Sequence, residues 1–194
     1  KTDSIHQVLS QRFAKSAVIY NDGKDLKKAS EIAKQCEKVI VVIGEQASMS
    51  GEAHSRSHPA IPQEQIELLK ALKALDVEVI AVVLSGRPLI LTEAEALCDT
   101  ILLAWHGGTY AGQAIAEILL GEFNPSGRLT CSFPRSVGQV PLNYNHRNTG
   151  RPVLGEGITQ FAEAYKSNYI DETNEALYPF GFGLSYSQLE YKDL

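Results

Sequence analysis

Two kinds of hydrophobic pattern alternate along the chain, and their order predicts an α/β fold. Uninterrupted apolar runs, which are typical of strands buried on both faces of a sheet, occupy Val39–Ile43, Val79–Leu84 and Ile101–Trp105. Strands that alternate with helices indicate βαβ units and a mostly parallel sheet. Apolar residues recur at helical spacing around these runs, in the stretches Ile5–Phe13, Asp25–Cys36, Pro62–Leu75, Thr92–Leu97 and Ala111–Leu119.

Two shorter segments add candidate strands to this pattern. Ala17–Tyr20 follows the first helix, and Leu129–Phe133 follows a turn as a candidate edge strand. With these segments included, we predict a three-layer α/β sandwich. Its mostly parallel sheet would have about five or six strands, with helices on both faces.

The character of the sequence changes after Gly121. Residues 134–180 are rich in Gly, Pro, Asn and aromatic residues and show little periodicity. Long segments of this kind are usually functional or wrap a neighbouring surface. We assign residues 1–180 to one domain and residues 181–194 to an exit segment that leads elsewhere. Because the chain opens at Lys1 without an initiator Met, we also expect it to be part of a longer protein.

Composition narrows the classes of partner. The net charge of −5 and the absence of a dense Lys/Arg patch argue against a nucleic-acid partner. No apolar stretch approaches the roughly 20 residues that span a bilayer, so we expect no membrane partner. The cysteines are odd in number and lie in or beside apolar segments, which predicts buried free thiols at Cys36, Cys98 and Cys131.

The loop after the Val39–Ile43 strand holds an unusual set of ionisable residues. Ligands of open α/β sheets bind near the loops at the carboxyl ends of the strands. The loops Ser85–Arg87 and His106–Gly108 leave the next two strands, so we expect all three loops at one edge. Exposed loop carboxylates are common, so a solvated connection stays open as the alternative. The ionisable residues of the first loop are Glu45, Glu52, His54, Arg56 and His58.

Other chemistries find weaker support in the spacing of residues. The serine-hydrolase elbow G-x-S-x-G is absent, and "IGEQAS" does not fit the dinucleotide fingerprint. The stretch "HGGTYAG" precedes a helix and is compatible with an anion site or with a tight turn. Trp105 is compatible with stacking on a sugar or with packing in the core. We predict no metal site and no cofactor, because the histidines lack the spacing of metal ligands.

Several longer motifs, taken together, point to a family. "VVIGE", "GEAHSR", "IPQEQIELLKAL", "VVLSGRPL" and "LLAWHGGTYAGQAIAEILLGEFNPSGRLTCSFPRSVGQVPLNYNHRNTGRP" follow one another, and "LYPFGFGLSY" closes the series. This series resembles the C-terminal α/β-sandwich domain of glycoside hydrolase family 3, of the bacterial periplasmic β-glucosidase type. The resemblance runs from about Tyr20 onward in the same order.

The resemblance implies a retaining β-glucosidase whose catalytic groups come from two domains. In such enzymes an N-terminal (β/α)8 barrel supplies an aspartate nucleophile, and a loop of the sandwich domain supplies the acid/base glutamate. The matching residue here is Glu52 in "SGEAHSR", with Glu45 as the competing candidate. His54 and Arg56 are implied as residues that bind substrate or support Glu52.

The same resemblance implies the partners and the location. We expect a β-glucoside or oligosaccharide substrate, a barrel domain that is absent from these 194 residues, and an exit toward a fibronectin type III-like domain. We expect the chain alone to be inactive and the protein to be periplasmic or secreted. The alternative is a non-catalytic α/β module that binds an anionic ligand or a carbohydrate.

Overall fold

The computed structural model describes residues 2–13, 17–147, 149–152, 165–188, 190 and 192. Strands and helices alternate through the first two thirds of the chain, as the hydrophobic pattern predicts. In chain order, the elements are α1 (Ile5–Arg12), α2 (Leu26–Ala33), β1 (Lys38–Gly44), α3 (Gln63–Lys73), β2 (Glu78–Leu84), α4 (Thr92–Leu97), β3 (Thr100–Leu103) and α5 (Ala111–Leu119).

The sheet is parallel, with β2 between β1 and β3. In its register, Val41 lies opposite Ala81, which in turn lies opposite Ile101. Most of the central strand is shielded from solvent, since Val79, Ala81, Val82 and Val83 are fully buried. This two-sided burial explains why the strand has an uninterrupted apolar sequence.

Helices cover both faces of the sheet, so the predicted three-layer α/β class is confirmed. Alternate residues of a strand point to opposite faces. On one face, Val41 and Ala81 pack in a core with Leu69 of α3 and Ala94 of α4. On the other face, Ile40 packs with a smaller cluster that consists of Val8 and Leu9 of α1 and Ala116 of α5.

The predicted number of strands is wrong for the described residues, whose sheet has three strands instead of five or six. Residues 17–20 form a turn and irregular structure. Val18 packs against the smaller cluster, but Ile19 and Tyr20 are exposed. The segment thus lacks the two-sided burial that its apolar sequence suggests.

Residues 129–133, the other predicted strand, form only an interrupted antiparallel pairing. Phe133 N–H donates to Tyr178 O at 2.8 Å, and Leu129 N–H donates to Phe182 O at 2.9 Å. Between these points the ladder breaks, because Pro179 has no N–H and Phe180 N–H donates to the Ser132 hydroxyl instead. The pairing therefore counts only as a bridge between Phe133 and Tyr178.

The irregular segment packs back on the sandwich where it is described. The Thr92 hydroxyl of α4 donates to Arg135 O at 2.7 Å, and Tyr178 packs against the larger core. Within the segment, the buried Gln139 amide donates to Thr173 O at 2.8 Å, and its Oε1 accepts from Arg135 N–H at 2.7 Å. Where it is described, the segment therefore lies against the sandwich; residues 148 and 153–164 lie outside the described residues.

The cysteines are free, as predicted, but only partly buried. Burial raises the pKa of the Cys98 thiol to about 11 and also raises the pKa of Cys131, so both thiols are protonated near neutral pH. In the described part of the chain, no helix is long and apolar enough to cross a membrane.

Candidate active site at the carboxyl edge of the sheet

The three loops that follow β1, β2 and β3 meet at one edge of the sheet, as predicted. A Cβ atom at Gly86, in the β2 loop, would lie 2.9 Å from His106 Nε2 and 3.3 Å from Ser50 Oγ. His106 belongs to the β3 loop and Ser50 to the β1 loop. All three loops therefore lie close to one another at position 86.

A buried carboxylate lies at the centre of this edge. The side chain of Glu45, the first residue after β1, has no exposed surface. Its Oε1 accepts from Arg56 Nη1 at 2.8 Å, and its Oε2 accepts from Arg87 Nε at 3.2 Å. The Ser85 hydroxyl lies 3.1 Å from the same Oε2. Two strand ends and the β1 loop are thus joined through one carboxylate.

The surroundings of Glu45 keep it ionised. Burial alone would raise the pKa of its carboxyl, but hydrogen bonds from Arg56 and Ser85 and the charges of Arg87 and Arg56 outweigh burial. The net effect lowers the pKa of Glu45 below its ordinary value of 4.5. A buried carboxylate with both oxygens occupied and a lowered pKa is poorly suited to donate a proton.

Glu52 lies in the opposite environment, on an exposed turn of the same loop. Among the described residues, no side chain donates a hydrogen bond to its carboxylate. The backbone is unusual on both sides, with φ of 118° at Gly51 and 60° at Ala53. Because L-residues rarely adopt positive φ, the turn is in an uncommon conformation at Ala53, directly after Glu52.

The two other predicted site residues take different positions. His54 Nδ1–H donates to the Glu52 carbonyl oxygen at 2.6 Å, so it contacts the backbone of the turn and not the Glu52 carboxylate. Arg56 pairs with Glu45 and also donates from Nη2 to Ala60 O at 2.9 Å. The structure therefore brings His54 next to Glu52 and places Arg56 in the buried cluster.

Arg87 is a site residue that the sequence analysis did not identify. Its Nη2 donates to the Met49 carbonyl at 3.0 Å and to the His54 carbonyl at 3.3 Å, in addition to the contact of Nε with Glu45. A signal for this contact was available, since Glu45 and Arg87 have opposite charges and lie at the carboxyl ends of adjacent parallel strands.

The glycine-rich β3 loop is explained by packing. A Cβ atom at Gly107 would lie 2.8 Å from Cβ of Ala111, which accounts for this glycine without an anion. Trp105 lies edge-on against Phe133, with their centroids 5.8 Å apart, and this contact supports the interpretation of Trp105 as a core residue.

A cleft of about 280 Å³ lies beside the second half of the β1 loop, and Glu52 is not among its lining residues. The cleft is lined by His58, Ile90 and Arg135, among others. In the described part of the chain, no group of three or more His, Cys, Asp or Glu side chains could hold a metal ion. Glu52 is exposed and lies outside the lining of this cleft.

The model of the glycosyl hydrolase family 3 C-terminal domain matches residues 1–186. The chain belongs to this family. Among similar proteins, "Periplasmic beta-glucosidase" of Salmonella typhimurium is 47% identical over 166 residues, which cover 86% of this chain and 21% of that protein. "Beta-xylosidase" of Formosa agariphila is 37% identical over 163 residues, with 84% of this chain and 21% of that protein covered.

Solved structures of the family confirm the fold of this family 3 domain. The β-glucosidase from Listeria innocua in complex with gluconolactone superposes with a TM-score of 0.78 at 36% sequence identity. The match covers 89% of this chain and 23% of the Listeria chain. The domain therefore spans about one fifth of the length of the relatives it matches.

Proposed function

We propose that this family 3 domain supplies the general acid/base of a retaining β-glucosidase and that Glu52 is this residue. The exposed Glu52 carboxylate carries the proposal, because it is placed on a turn at the carboxyl edge of the sheet and has no partner among the described residues. The 47% identical Salmonella protein, which is named a β-glucosidase, supports a β-linked glucoside or oligosaccharide as substrate.

The proposed reaction needs a second carboxylate. In the first step, the Glu52 carboxylic acid gives its proton to the glycosidic oxygen, the bond from that oxygen to the anomeric carbon breaks, and a nucleophilic carboxylate bonds to that carbon. In the second step, the Glu52 carboxylate takes a proton from water, whose oxygen displaces the nucleophile. Retaining enzymes hold the two carboxyl groups roughly 5–5.5 Å apart.

Glu45 does not meet the requirements for this nucleophile. Its side chain is buried, and its oxygens are occupied by Arg56, Arg87 and Ser85. We therefore assign the nucleophile to another part of the polypeptide, an N-terminal (β/α)8 barrel that faces the Glu52 turn. The coverage of only 21% of the Salmonella relative is consistent with further domains of this kind.

The surface of the domain supports contacts with neighbouring domains. Tyr144 and Phe180 stack on each other with centroids 4.4 Å apart, yet they are 69% and 47% exposed. Exposed aromatic pairs of this kind mark interaction surfaces. Residues 185–187 lie against residues 118–125, where the Ser185 hydroxyl donates to Pro125 O at 2.6 Å and the Tyr186 hydroxyl donates to Ile118 O at 2.7 Å. We propose that residues 181–194 lead toward a fibronectin type III-like domain.

The location of the whole protein follows from the same relative. The Salmonella protein is named periplasmic, so we propose that this protein works in the periplasm or is secreted. We propose that His54 orients the Glu52 turn and that Arg56 supports the loop through its contacts with Glu45 and Ala60.

Replacement of Glu52 by Ala in the complete polypeptide tests the proposal. We expect kcat/KM for a β-glucoside with a poor leaving group to fall by about 10²–10⁴, because such a group needs a proton to depart. The loss in kcat/KM should be smaller for a 2,4-dinitrophenyl β-glucoside, whose leaving group departs without a proton in the first step. Azide should restore turnover of that substrate as a glycosyl azide, because azide attacks without a general base. An equal loss for both leaving groups, without rescue by azide, would rule out Glu52 as the acid/base.

A further inference from the structure

One side chain contacts the Glu52 turn from both sides. Arg87 Nη2 donates to the carbonyls of Met49 and His54, which precede and follow Glu52 along the loop. We propose that Arg87 is a positioning residue for proton transfer, which holds both flanks of the Glu52 turn so that the carboxyl group keeps a fixed direction. This inference rests on the proposed function of Glu52.

The turn requires such support from outside. Gly51 and Ala53, on either side of Glu52, have φ of 118° and 60°. A non-glycine residue at positive φ persists only where surrounding contacts hold it. Within the turn, the His54 N–H donates to Gly51 O at 3.3 Å, which is a long hydrogen bond, and His54 Nδ1–H donates to Glu52 O at 2.6 Å. Neither bond reaches Met49, on the other side of Glu52. The guanidinium of Arg87 adds two contacts to the flanking carbonyls and so fixes the ends of the turn.

The position of Arg87 is itself fixed by Glu45. The Glu45 carboxylate has no exposed surface and lies directly after β1, and Arg87 follows β2. Their contact at 3.2 Å joins the ends of two strands that pair in the sheet. A guanidinium can hold this carboxylate through one nitrogen and the loop carbonyls through another, because its donors diverge in a rigid plane. The ammonium of a lysine is a single point charge and cannot reach these three acceptors at fixed angles.

Arg56 provides the internal comparison. It shares the Glu45 carboxylate with Arg87, but its second contact is the Ala60 carbonyl, which lies well past the turn. Its contacts therefore fasten the end of the loop, and those of Arg87 fasten the turn. A role in positioning Glu52 should belong to Arg87 and not to Arg56.

Proton transfer is sensitive to such positioning. The acid must come within hydrogen-bond reach of the glycosidic oxygen, and a displacement of about 1 Å can cost about 10²-fold in rate. The loss should depend on the leaving group, because only a poor leaving group needs the proton. Simple destabilisation of the domain would reduce the turnover of all substrates alike.

The test compares Arg87→Lys, Arg56→Lys and Arg12→Lys in the complete polypeptide. For Arg87→Lys we expect kcat/KM for phenyl β-glucoside to fall about 10²-fold and that for 2,4-dinitrophenyl β-glucoside to fall far less, with KM nearly unchanged. Arg56→Lys should leave the ratio of the two values near that of the wild type. Arg12, whose partner is the exposed Glu122, is the surface control. Arg87→Gln is a second variant with the same expected ratio, should the lysine variant fold poorly.

Hydrogen exchange of the same proteins measures directly how well the Glu52 turn is held. We expect exchange of the amides from Met49 to His54 to become at least tenfold faster in Arg87→Lys and to stay unchanged in Arg12→Lys. Equal losses on both substrates, or unchanged exchange in this turn, would overturn the inference while Glu52→Ala still shows its dependence on the leaving group. If Glu52→Ala lacks that dependence as well, the proposed function fails and this inference fails with it.

Discussion

Glu45 and Glu52 lie on the same loop, yet Glu45 is buried between two arginines and Glu52 is exposed without a partner among the described residues. The same residue type therefore lies in two different environments. Glu45 is a structural anchor, because its oxygens are already hydrogen-bonded. The Glu52 carboxylate has no partner among the described residues, which leaves it available for the proton transfer that we propose.

The first prediction concerns the stability that Glu45 provides. Glu45→Gln would leave Arg56 and Arg87 beside a neutral group in a partly buried site. Loss of one partner from a buried ion pair typically costs 3–5 kcal/mol, and because these arginine side chains are 21% and 28% exposed we expect the lower end, about 3 kcal/mol. Urea unfolding of the chain measures this loss in the free energy of unfolding.

The matched control for Glu45→Gln is Glu52→Gln on the same loop. The exposed Glu52 has no partner to lose among the described residues. The free energy of unfolding of the Glu52→Gln variant should therefore stay within about 0.5 kcal/mol of that of the wild type. Equal losses in the two variants would contradict the assignment of Glu45 as the buried anchor.

The second prediction is a dependence of stability on pH. The pKa of Glu45 in the folded chain is lowered below the 4.5 of an ordinary glutamate. The stability that comes from this shift is fully present above the unfolded pKa and is lost as the pH falls through the folded pKa. We therefore expect the difference in unfolding free energy between the wild type and Glu45→Gln to shrink as the pH falls below 4.5.

Urea unfolding at a series of pH values checks this expectation. Glu52→Gln should follow the wild-type curve, because both retain the Glu45 carboxylate. A difference between the wild type and Glu45→Gln that stays constant down to low pH would mean that the shifted titration belongs to another group.

Much of the fold follows from the sequence because burial on both faces of the sheet leaves a local signature. The apolar runs that predict β1, β2 and β3 are the strands that pair in the structure. Residues 17–20 have a similar composition but form no strand, since Ile19 and Tyr20 face solvent. The fate of such a short run depends on its long-range partners, which a local pattern does not contain.

The location of the site can be predicted from the sequence, but the choice of partners in its ion pairs cannot. The carboxyl ends of parallel strands must share one edge, so the convergence of the three loops follows from the order of the elements. The pairing of Arg56 with Glu45 does not follow from that order, because Glu52 is nearer to Arg56 along the sequence than Glu45 is. The turn at Gly51 and Ala53 reverses that proximity and directs Arg56 to the more distant carboxylate.

The third prediction concerns the contact between α1 and α5. Gly112 of α5 is buried, and a Cβ atom there would lie 2.1 Å from the Asp3 carbonyl oxygen. Alanine favours a helix over glycine by about 1 kcal/mol, but overpacking against a backbone atom costs about 1–3 kcal/mol or more. We expect Gly112→Ala to be destabilising overall and to speed hydrogen exchange in α1.

The control for Gly112→Ala is Gln113→Ala, on the exposed side of the same helix. Gln113 loses only a hydrogen bond to Glu117, so the change in unfolding free energy should be within about 0.5 kcal/mol. If Gly112→Ala proves stabilising, or if exchange in α1 is unchanged, then α1 does not pack on α5 as closely as described.

The last prediction is that these 194 residues alone do not hydrolyse aryl β-glucosides. Glu52 is available as an acid, but Glu45 is buried, and we assign the nucleophile to a domain outside this chain. One carboxylate can neither form nor resolve a glycosyl-enzyme intermediate by itself. The purified chain should therefore release no 4-nitrophenol from 4-nitrophenyl β-glucoside above the background of the Glu52→Ala chain. The complete polypeptide serves as the positive control. Turnover by the chain that disappears on replacement of Glu52 would show that it contains its own nucleophile and that the proposed division of the site between two domains is wrong.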